Sequence, residues 1–476
     1  MNFAIVLDHK SQQPLHRQIY REWRNGILAG RFRPGDRVPS TRELSASLGV
    51  SRSTVSAAWE QLIAEGYFET AHGSGTFVCR ELPDALLTAR TGPGVETPAG
   101  FRLKLSRYGS GLNQNFPRPP KIPGVISFAP GMPDREHFPF ALWRRLVARH
   151  LRHANPAVFE YAESPAGHPA LRREIAAYLA RLRAVRCAPE QIIIVNGSQQ
   201  ALDFCARLLI EPGDEVAFEN PGYHGANRIF TAQGGRLMPV PIDSDGIAIR
   251  EYRGKARLAY VTPSHQYPTG VSMCLARRLE LIQWAQARGA ALIEDDYSSE
   301  YRYSGSPLPS LQGLAGTVPV IYIGTFSKVM FPGLRIGYIV APPALAERFA
   351  RAKWLADRQT AVLEQCALTD FIREGHLDRH IRRMRRLYGL RREALLDALQ
   401  RHFGGDAAVS GDAAGMHSLV RFPDERILSR AAQNKVHLVS AEAYYLSGAP
   451  GRESLMGFSA IGERAIREGV RRLAQA

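Results

Sequence analysis

This 476-residue chain is short of three things. Its five cysteines (Cys79, Cys187, Cys205, Cys274 and Cys366) are odd in number, scattered and never in a C-x-x-C pair, which excludes a disulfide framework and a zinc module. No apolar run approaches the roughly 20 residues a bilayer span needs, and the apolar run in the opening MNFAIVLDHK is very short and broken by Asp8. Neither export nor membrane insertion is therefore expected, and no bound metal; a reducing cytoplasm fits. Lysine is the third scarcity: it occurs seven times in a chain where Lys and Arg together number 61 against 45 acidic residues.

The net charge of +16 invites a polyanionic partner. Charge alone does not specify one, and in the first eighty residues basic and acidic side chains nearly balance. The length predicts two to four domains, and 45% apolar with 22% charged residues is ordinary for a globular protein.

From Pro14 onward, Leu15, Ile19, Trp23 and Ile27 form an apolar stripe at four-residue spacing, predicting a helix that Gly30 stops. Ser40 with Glu43 three residues later is a capping box opening a second helix with Leu44 and Leu48 inside. Gly49 ends it, and Ser51 caps a third whose inner face is Val55, Trp59, Leu62 and Ile63. Two short helices across a tight turn predict a helix-turn-helix with Ser51, Arg52, Ser53 and Thr54 at the end that enters a major groove. YFETAHGSGTFVC then reads as a hairpin whose turn, His72 to Gly75, lets backbone amides approach a phosphate. Residues 14–78 resemble the winged helix-turn-helix of the GntR family of bacterial regulators. That resemblance implies that Arg42, Arg52, Ser53, Thr54, His72 and Gly73 face a double-stranded DNA operator.

Residues 80–124, with TGPGVETPAG and NFPRPPKIPG, read as an extended linker. Its charges from Arg102 to Lys121 are all basic (Arg102, Lys104, Arg107, Arg118, Lys121), suited to a solvated tether or to phosphate contact.

Beyond it, QIIIVNG, DEVAFEN, RLAYVTP, AALIEDD and VPVIYIG are β-type runs with helical patterns between several of them, which predicts a mostly parallel sheet covered by helices. Ligands collect at the carboxyl ends of such strands, and chemically loaded residues follow these runs. Gly197-Ser198-Gln199 opens a helix; Asp295, Asp296 and Tyr297 follow ALIE; Thr325, Ser327, Lys328 and Arg335 follow VIYIG. Together they supply an amine for an aldehyde, a carboxylate for a pyridinium nitrogen, and hydroxyls, amides and an arginine for a phosphate, which are the needs of pyridoxal 5'-phosphate.

FAPGMPD, NGSQQAL, NPGYHG, PSHQYPTG, EDDYSSEYRY and SKVMFPGLRIGY, in that order, resemble a fold-type I aminotransferase domain with a smaller C-terminal α+β subdomain. The resemblance implies that Lys328 forms the Schiff base, Asp295 pairs with the ring nitrogen, Tyr297 bonds the ring oxygen and Tyr223 stacks on the ring. Ser198, Gln199, Thr325, Ser327 and Arg335 would take the phosphate, with Tyr161 reaching it from a second subunit. Two departures stand out. Tyr267 replaces the family's asparagine in HQYPTG, and in GRESLMGF Leu455 stands where the arginine for the substrate carboxylate is expected, leaving Arg452 three residues earlier as the candidate for that role.

The whole arrangement resembles the MocR/GabR subfamily of GntR regulators. It implies a DNA-binding domain at 1–79, the linker at 80–124 and a cofactor-binding effector domain at 125–476 in a head-to-tail homodimer. The implied function is a transcription regulator that senses an amino compound or a B6 vitamer through exchange at Lys328. The alternative is a working aminotransferase carrying a DNA-binding domain.

Overall fold

The computed structural model of the chain describes residues 5, 7–9, 11–71, 74–82, 104–112, 122–152, 156–162, 164–305, 308–411 and 413–475. The chain divides into two compact units, Met1–Lys104 and Leu105–Ala476.

In the first unit, α1 (Leu15–Leu28), α2 (Thr41–Leu48) and α3 (Arg52–Ala64) precede an antiparallel hairpin of β1 (Phe68–Ala71) and β2 (Gly75–Val78). The expected stripe of α1 is buried at Ile19, Trp23 and Ile27. Trp23 stacks on Phe32 at 4.3 Å between centroids and meets Trp59 edge-on at 5.3 Å, so the three helices and the hairpin close on an aromatic centre. Both halves of the capping box form: the Glu43 amide donates to Ser40 Oγ at 3.2 Å and the Ser40 amide to Glu43 Oε2 at 2.9 Å. Gly49, at φ 63°, turns α2 into α3 through the left-handed region. One inner-face expectation fails. Ile63 is exposed and Ala58 takes its place, because i, i+3, i+4, i+7 from Val55 selects Ala58, Trp59 and Leu62.

The second unit is built on an eight-stranded sheet. Its strands are β3 (Ile192–Val195), β4 (Glu215–Asn220), β5 (Arg236–Asp243), β6 (Gly246–Ile247), β7 (Leu258–Val261), β8 (Ala291–Asp296), β9 (Val320–Thr325) and β10 (Gly337–Val340), in the order β3-β10-β9-β8-β7-β4-β5-β6. The central neighbours β9, β8, β7, β4 and β5 run parallel, and β10 is inserted antiparallel between β9 and β3. Strands β3, β4, β7, β8 and β9 are the five apolar runs named above, fully buried at most positions as a sheet covered on both faces requires.

β5 was not legible because Pro239 and Pro241 interrupt it. The strand tolerates them since its outer neighbour β6 pairs only with Ile242 and Asp243. A second, four-stranded antiparallel sheet (Ala408–Ser410, His417–Arg421, Glu453–Gly457 and Val439–Ser440), with the helices His376–Phe403 and Glu463–Leu473, makes the smaller C-terminal subdomain.

Candidate functional site

Two adjacent aspartates at the end of β8 show how the sheet builds the site, since successive residues on a strand face opposite ways. Asp296 is held by a cation on its own side: its Oδ2 accepts from Arg183 Nε at 2.8 Å and from the Tyr322 hydroxyl at 2.7 Å, while its Oδ1 is buried without a partner. Asp295 faces the other way, into a cavity of about 420 Å³, a size usual for ligand sites. Its Oδ2 accepts from the Tyr260 hydroxyl at 2.8 Å, whereas Oδ1 is buried without a partner. Burial pushes this carboxyl up to about 7 despite the Tyr260 bond. An acid so placed awaits a cation or a proton donor.

Lys328 lines the same cavity and donates from Nζ to the Gly131 carbonyl at 2.8 Å. Burial lowers its pKa; the Asp295 charge opposes that shift and Arg335 adds to it, which favours the neutral, nucleophilic amine. The lysine follows β9 at the carboxyl end of the parallel strands, where the βα topology gathers ligands.

Gly197 lies between β3 and helix α4 (Ser198–Leu209), at φ 87° and ψ 170°. That region of backbone space is essentially reserved for glycine. A Cβ there would meet the Arg335 guanidinium at 2.9 to 3.1 Å, so the missing side chain lets the arginine lie against the helix start. Arg335 is itself left-handed, at φ 53°, and donates to the Asn196 carbonyl. Beside it, Ser327 Oγ is buried without a partner and Thr325 Oγ1 accepts from the Ser327 amide at 3.2 Å. Free amides at a helix start, an arginine and an unengaged hydroxyl suit a dianionic phosphate.

The turn is braced from behind by Lys353. This fully buried lysine donates to Asp357 at 2.7 Å and to Gln200 at 3.1 Å, while Asp357 also accepts from Asn196 Nδ2 at 2.6 Å.

Tyr223, Tyr267, Tyr297 and Tyr444 wall the cavity. Gln199 Nε2 donates to the Tyr223 hydroxyl at 2.8 Å, and Tyr297 shares a 2.8 Å hydrogen bond with His265 Nδ1. Burial pushes that imidazole down to about 4 and so keeps it neutral. Tyr267, in the place expected for asparagine, sends its hydroxyl to Tyr444 at 3.2 Å.

The residues present fit pyridoxal phosphate. The unpaired Asp295 oxygen suits the ring nitrogen, Lys328 the aldehyde carbon, and the Gly197 cradle with Ser198, Ser327 and Arg335 the phosphate.

Of the other residues named from sequence, Tyr161 is 78% exposed, with the Arg358 guanidinium over its ring at 5.4 Å, and does not line the cavity. Arg452 is not brought to it either: it is exposed, and its guanidinium donates to the Pro423 carbonyl at 3.2 Å. Three residues along an extended segment carry it about 10 Å from Leu455 and to the opposite face of the pleat. Sequence reading missed Arg228, His224, Tyr260, His437 and Tyr444 in the lining. His224 and Arg228 were discoverable as one face of the helix after NPGY, but His437 and Tyr444 come from the C-terminal subdomain without any motif.

In the first unit Arg42, Ser51, Arg52 and Ser53 are exposed and Thr54 is half-buried. Ser51 Oγ accepts the Thr54 amide at 3.2 Å, so that residue also caps α3. His72 and Gly73 lie outside the described residues, as do Arg102, Arg118 and Lys121 of the linker. Arg37, not anticipated, bridges to Phe77 of the wing, and its guanidinium lies 3.2 Å from where a Cβ on Gly75 would stand.

Comparison with known proteins gives two family matches: aminotransferase class I and II over residues 123–455, and bacterial regulatory proteins of the gntR family over residues 15–78. The chain is 41% identical to the probable rhizopine catabolism regulatory protein MocR of Rhizobium meliloti, over 99% of this chain and 95% of that one. It is 31% identical to the pyridoxine biosynthesis transcriptional regulator PdxR of Corynebacterium glutamicum, over 98% and 96%. Among solved structures, the α-aminoadipate aminotransferase LysN of Thermus thermophilus superposes with a TM-score of 0.69 at 32% identity, covering 74% of this chain and 92% of that one.

Proposed function

Since the chain belongs to the MocR/GabR subfamily of GntR regulators, pyridoxal-phosphate-dependent transcription regulators that join a helix-turn-helix to an aminotransferase domain, we propose that its effector domain senses a small primary amine or a B6 vitamer at Lys328. One observation carries the reading: a half-buried lysine with depressed basicity faces an unpaired buried aspartate oxygen in a cavity with a built phosphate cradle.

Pyridoxal phosphate, when bound, supplies an aldehyde that condenses reversibly with amines and a ring that draws electrons from the carbon so attached. Asp295 would hold the proton of the ring nitrogen, and Ser198, Gln199, Thr325, Ser327 and Arg335 would anchor the phosphate. Tyr223 and Tyr297 would fix the ring's face and oxygen. Lys328 provides the resident amine with which an effector amine competes. Such competition changes operator binding only if the effector binds one domain arrangement better than another.

We assign operator contact to Arg42, Ser51, Arg52, Ser53 and Thr54 of residues 1–79, with 80–124 as tether and 125–476 as effector domain in the cytoplasm. A head-to-tail dimer is part of the proposal. Tyr161, Trp354 and Leu355 are all exposed apolar side chains, the first two held under Arg358, and such a surface supports burial against a second copy.

Tyr267 and Leu455 stand in places where transamination needs asparagine and arginine, so a sensor is expected rather than a fast enzyme. The test is steady-state transamination with a panel of amino and keto acids. The expected result is a change in cofactor absorbance without multiple turnover. Turnover at ordinary enzyme rates, about 1 to 1,000 per second, would contradict it.

A further inference from the structure

On the Asp296 side of β8, three arginines from distant segments meet around a second, much smaller cavity of about 20 Å³, which the Ser264 and Ser299 side chains also line. Arg183 ends the helix Pro169–Arg183, Arg278 lies in the helix Leu275–Arg288, and Arg302 comes five residues after Tyr297. Arg183 is paired with Asp296. Arg278, 1% exposed, donates to the carbonyls of Met273, Pro309 and Pro263 and approaches Glu294 only to 3.8 Å, too far for a hydrogen bond. Glu294 instead accepts from the Leu311 and Gln312 amides at 3.0 and 2.9 Å.

Arg302 meets no carboxylate among the described residues: its Nη1 donates to Ser272 Oγ at 3.3 Å, and its Nε is buried without a partner. Glu300, two residues before it, accepts from the Tyr178 hydroxyl at 2.8 Å, and burial raises its carboxyl to about 7. Three guanidiniums against the carboxylates of Asp296 and Glu294 leave one positive charge in excess.

We propose that this cavity binds a single monatomic anion of the halide class, represented by chloride, between Arg183, Arg278 and Arg302 and the hydroxyls of Ser264 and Ser299.

The space exceeds the roughly 10 to 15 Å³ that one water-sized guest needs and is too small for a sulfate or phosphate. No carboxylate lines it, and its polar side chains are donors, so an anion is better received there than a water, whose two hydrogens would need acceptors. The Ser264 hydroxyl already accepts from Arg183 Nη2, which leaves its own hydrogen to donate. An excess charge held away from water is costly until an anion meets it. Burial lowers Arg278 to about 10 and lowers Arg302 as well, and the Arg183 charge adds to burial at both, against the pull of Glu294 on Arg278. Ser264 adjoins His265 and Ser299 lies two residues after Tyr297, so the ion would tie together the segments whose His265 and Tyr297 share a 2.8 Å hydrogen bond at the larger cavity.

The test has two arms on the full-length protein. Crystals are grown with bromide in place of chloride and diffraction is recorded at the bromine absorption edge; an anomalous peak between the three guanidiniums is expected. In solution, melting is followed at fixed ionic strength as gluconate, too large for the cavity, is replaced by chloride. A site filled only in the folded protein turns each tenfold rise in chloride above its dissociation constant into about a tenfold gain in the folded-to-unfolded ratio, so the melting temperature should climb. Arg302→Gln should lose that climb. Arg382→Gln, which removes one positive charge from an exposed position, should keep it.

No bromide peak, as with a water in the cavity, would overturn the assignment, and so would an equally steep climb in wild type and Arg302→Gln. A peak without any climb in the wild type marks an ion bound at crystal concentration only and overturns it too. Should Arg302→Gln fail to fold, the wild type decides: without both the peak and the climb the assignment falls.

Discussion

Replacing Gly197 by alanine tests the phosphate cradle most sharply. At φ 87° and ψ 170° the residue lies where non-glycine side chains cost about 1 to 3 kcal/mol. The added Cβ would also stand 2.9 to 3.1 Å from three atoms of the Arg335 guanidinium, too close for carbon against nitrogen, so the arginine must shift. If that shift breaks one charge-assisted contact to the phosphate, a further loss of about 1.5 to 3 kcal/mol falls on the cofactor alone, or roughly 10- to 150-fold in affinity. The assay is cofactor titration by absorbance, paired with thermal melting of the cofactor-free protein. Gly213→Ala is the control, because Gly213 has φ 98° and open space where a Cβ would stand. Both variants should melt lower, but only Gly197→Ala should lose cofactor affinity. Equal cofactor affinity in Gly197→Ala and wild type would refute the cradle.

Three further outcomes are expected. Ser40→Ala removes the reciprocal cap of α2 and should lower the stability of the N-terminal unit by about 1 kcal/mol, read by thermal melting; no change would mean that the box contributes nothing. Arg52→Gln should weaken operator binding by about 1 to 3 kcal/mol in gel shift, and wild-type binding would remove Arg52 from the interface. Burial raises both Asp295 and Glu219 to about 7, against roughly 4 in an unfolded chain. Their contribution to stability is complete below the unfolded value and is lost as pH rises through 7. Over pH 6 to 8 the two carboxyls therefore lower the melting temperature of the cofactor-free protein, while the buried neutral histidines, His265 among them, raise it. Asp295→Asn removes one carboxyl and leaves the histidines, so its melting temperature should gain on the wild type's between pH 6 and pH 8, and an unchanged pH dependence would contradict the raised carboxyl.

The winged helix was legible nearly to the residue because its signals are local: a capping box, a left-handed glycine and a four-residue apolar stripe each constrain only a few neighbours. The one error, Ile63 for Ala58, came from ranking residues by size when the helical period fixes the face. In the effector domain, five strands and the loaded residues behind them were visible as apolar runs ending in polar turns. The prolines of β5 hid that strand, and its permissive neighbour β6 is a tertiary fact. Arg228 and Tyr444 escaped for a similar reason, since a cavity wall drawn from a helix face and from a distant subdomain has no sequence spacing. Arg452 was misjudged because nearness in sequence to Leu455 says nothing about which face of an extended segment a side chain takes. The resemblance singled out Asp295 from its neighbour, and the structure adds the physical difference between them: Asp296 is paired with Arg183, while Asp295 lines the cavity.

The scarce lysine at 328 carries the central claim, and operator binding in its absence is the direct measurement. Full-length wild type and Lys328→Ala, both supplied with pyridoxal phosphate, are titrated onto operator DNA with and without an amine that shifts the wild-type spectrum. The account predicts that the amine alters operator affinity in the wild type and leaves it unaltered in Lys328→Ala. The same amine-dependent change in both proteins would contradict it.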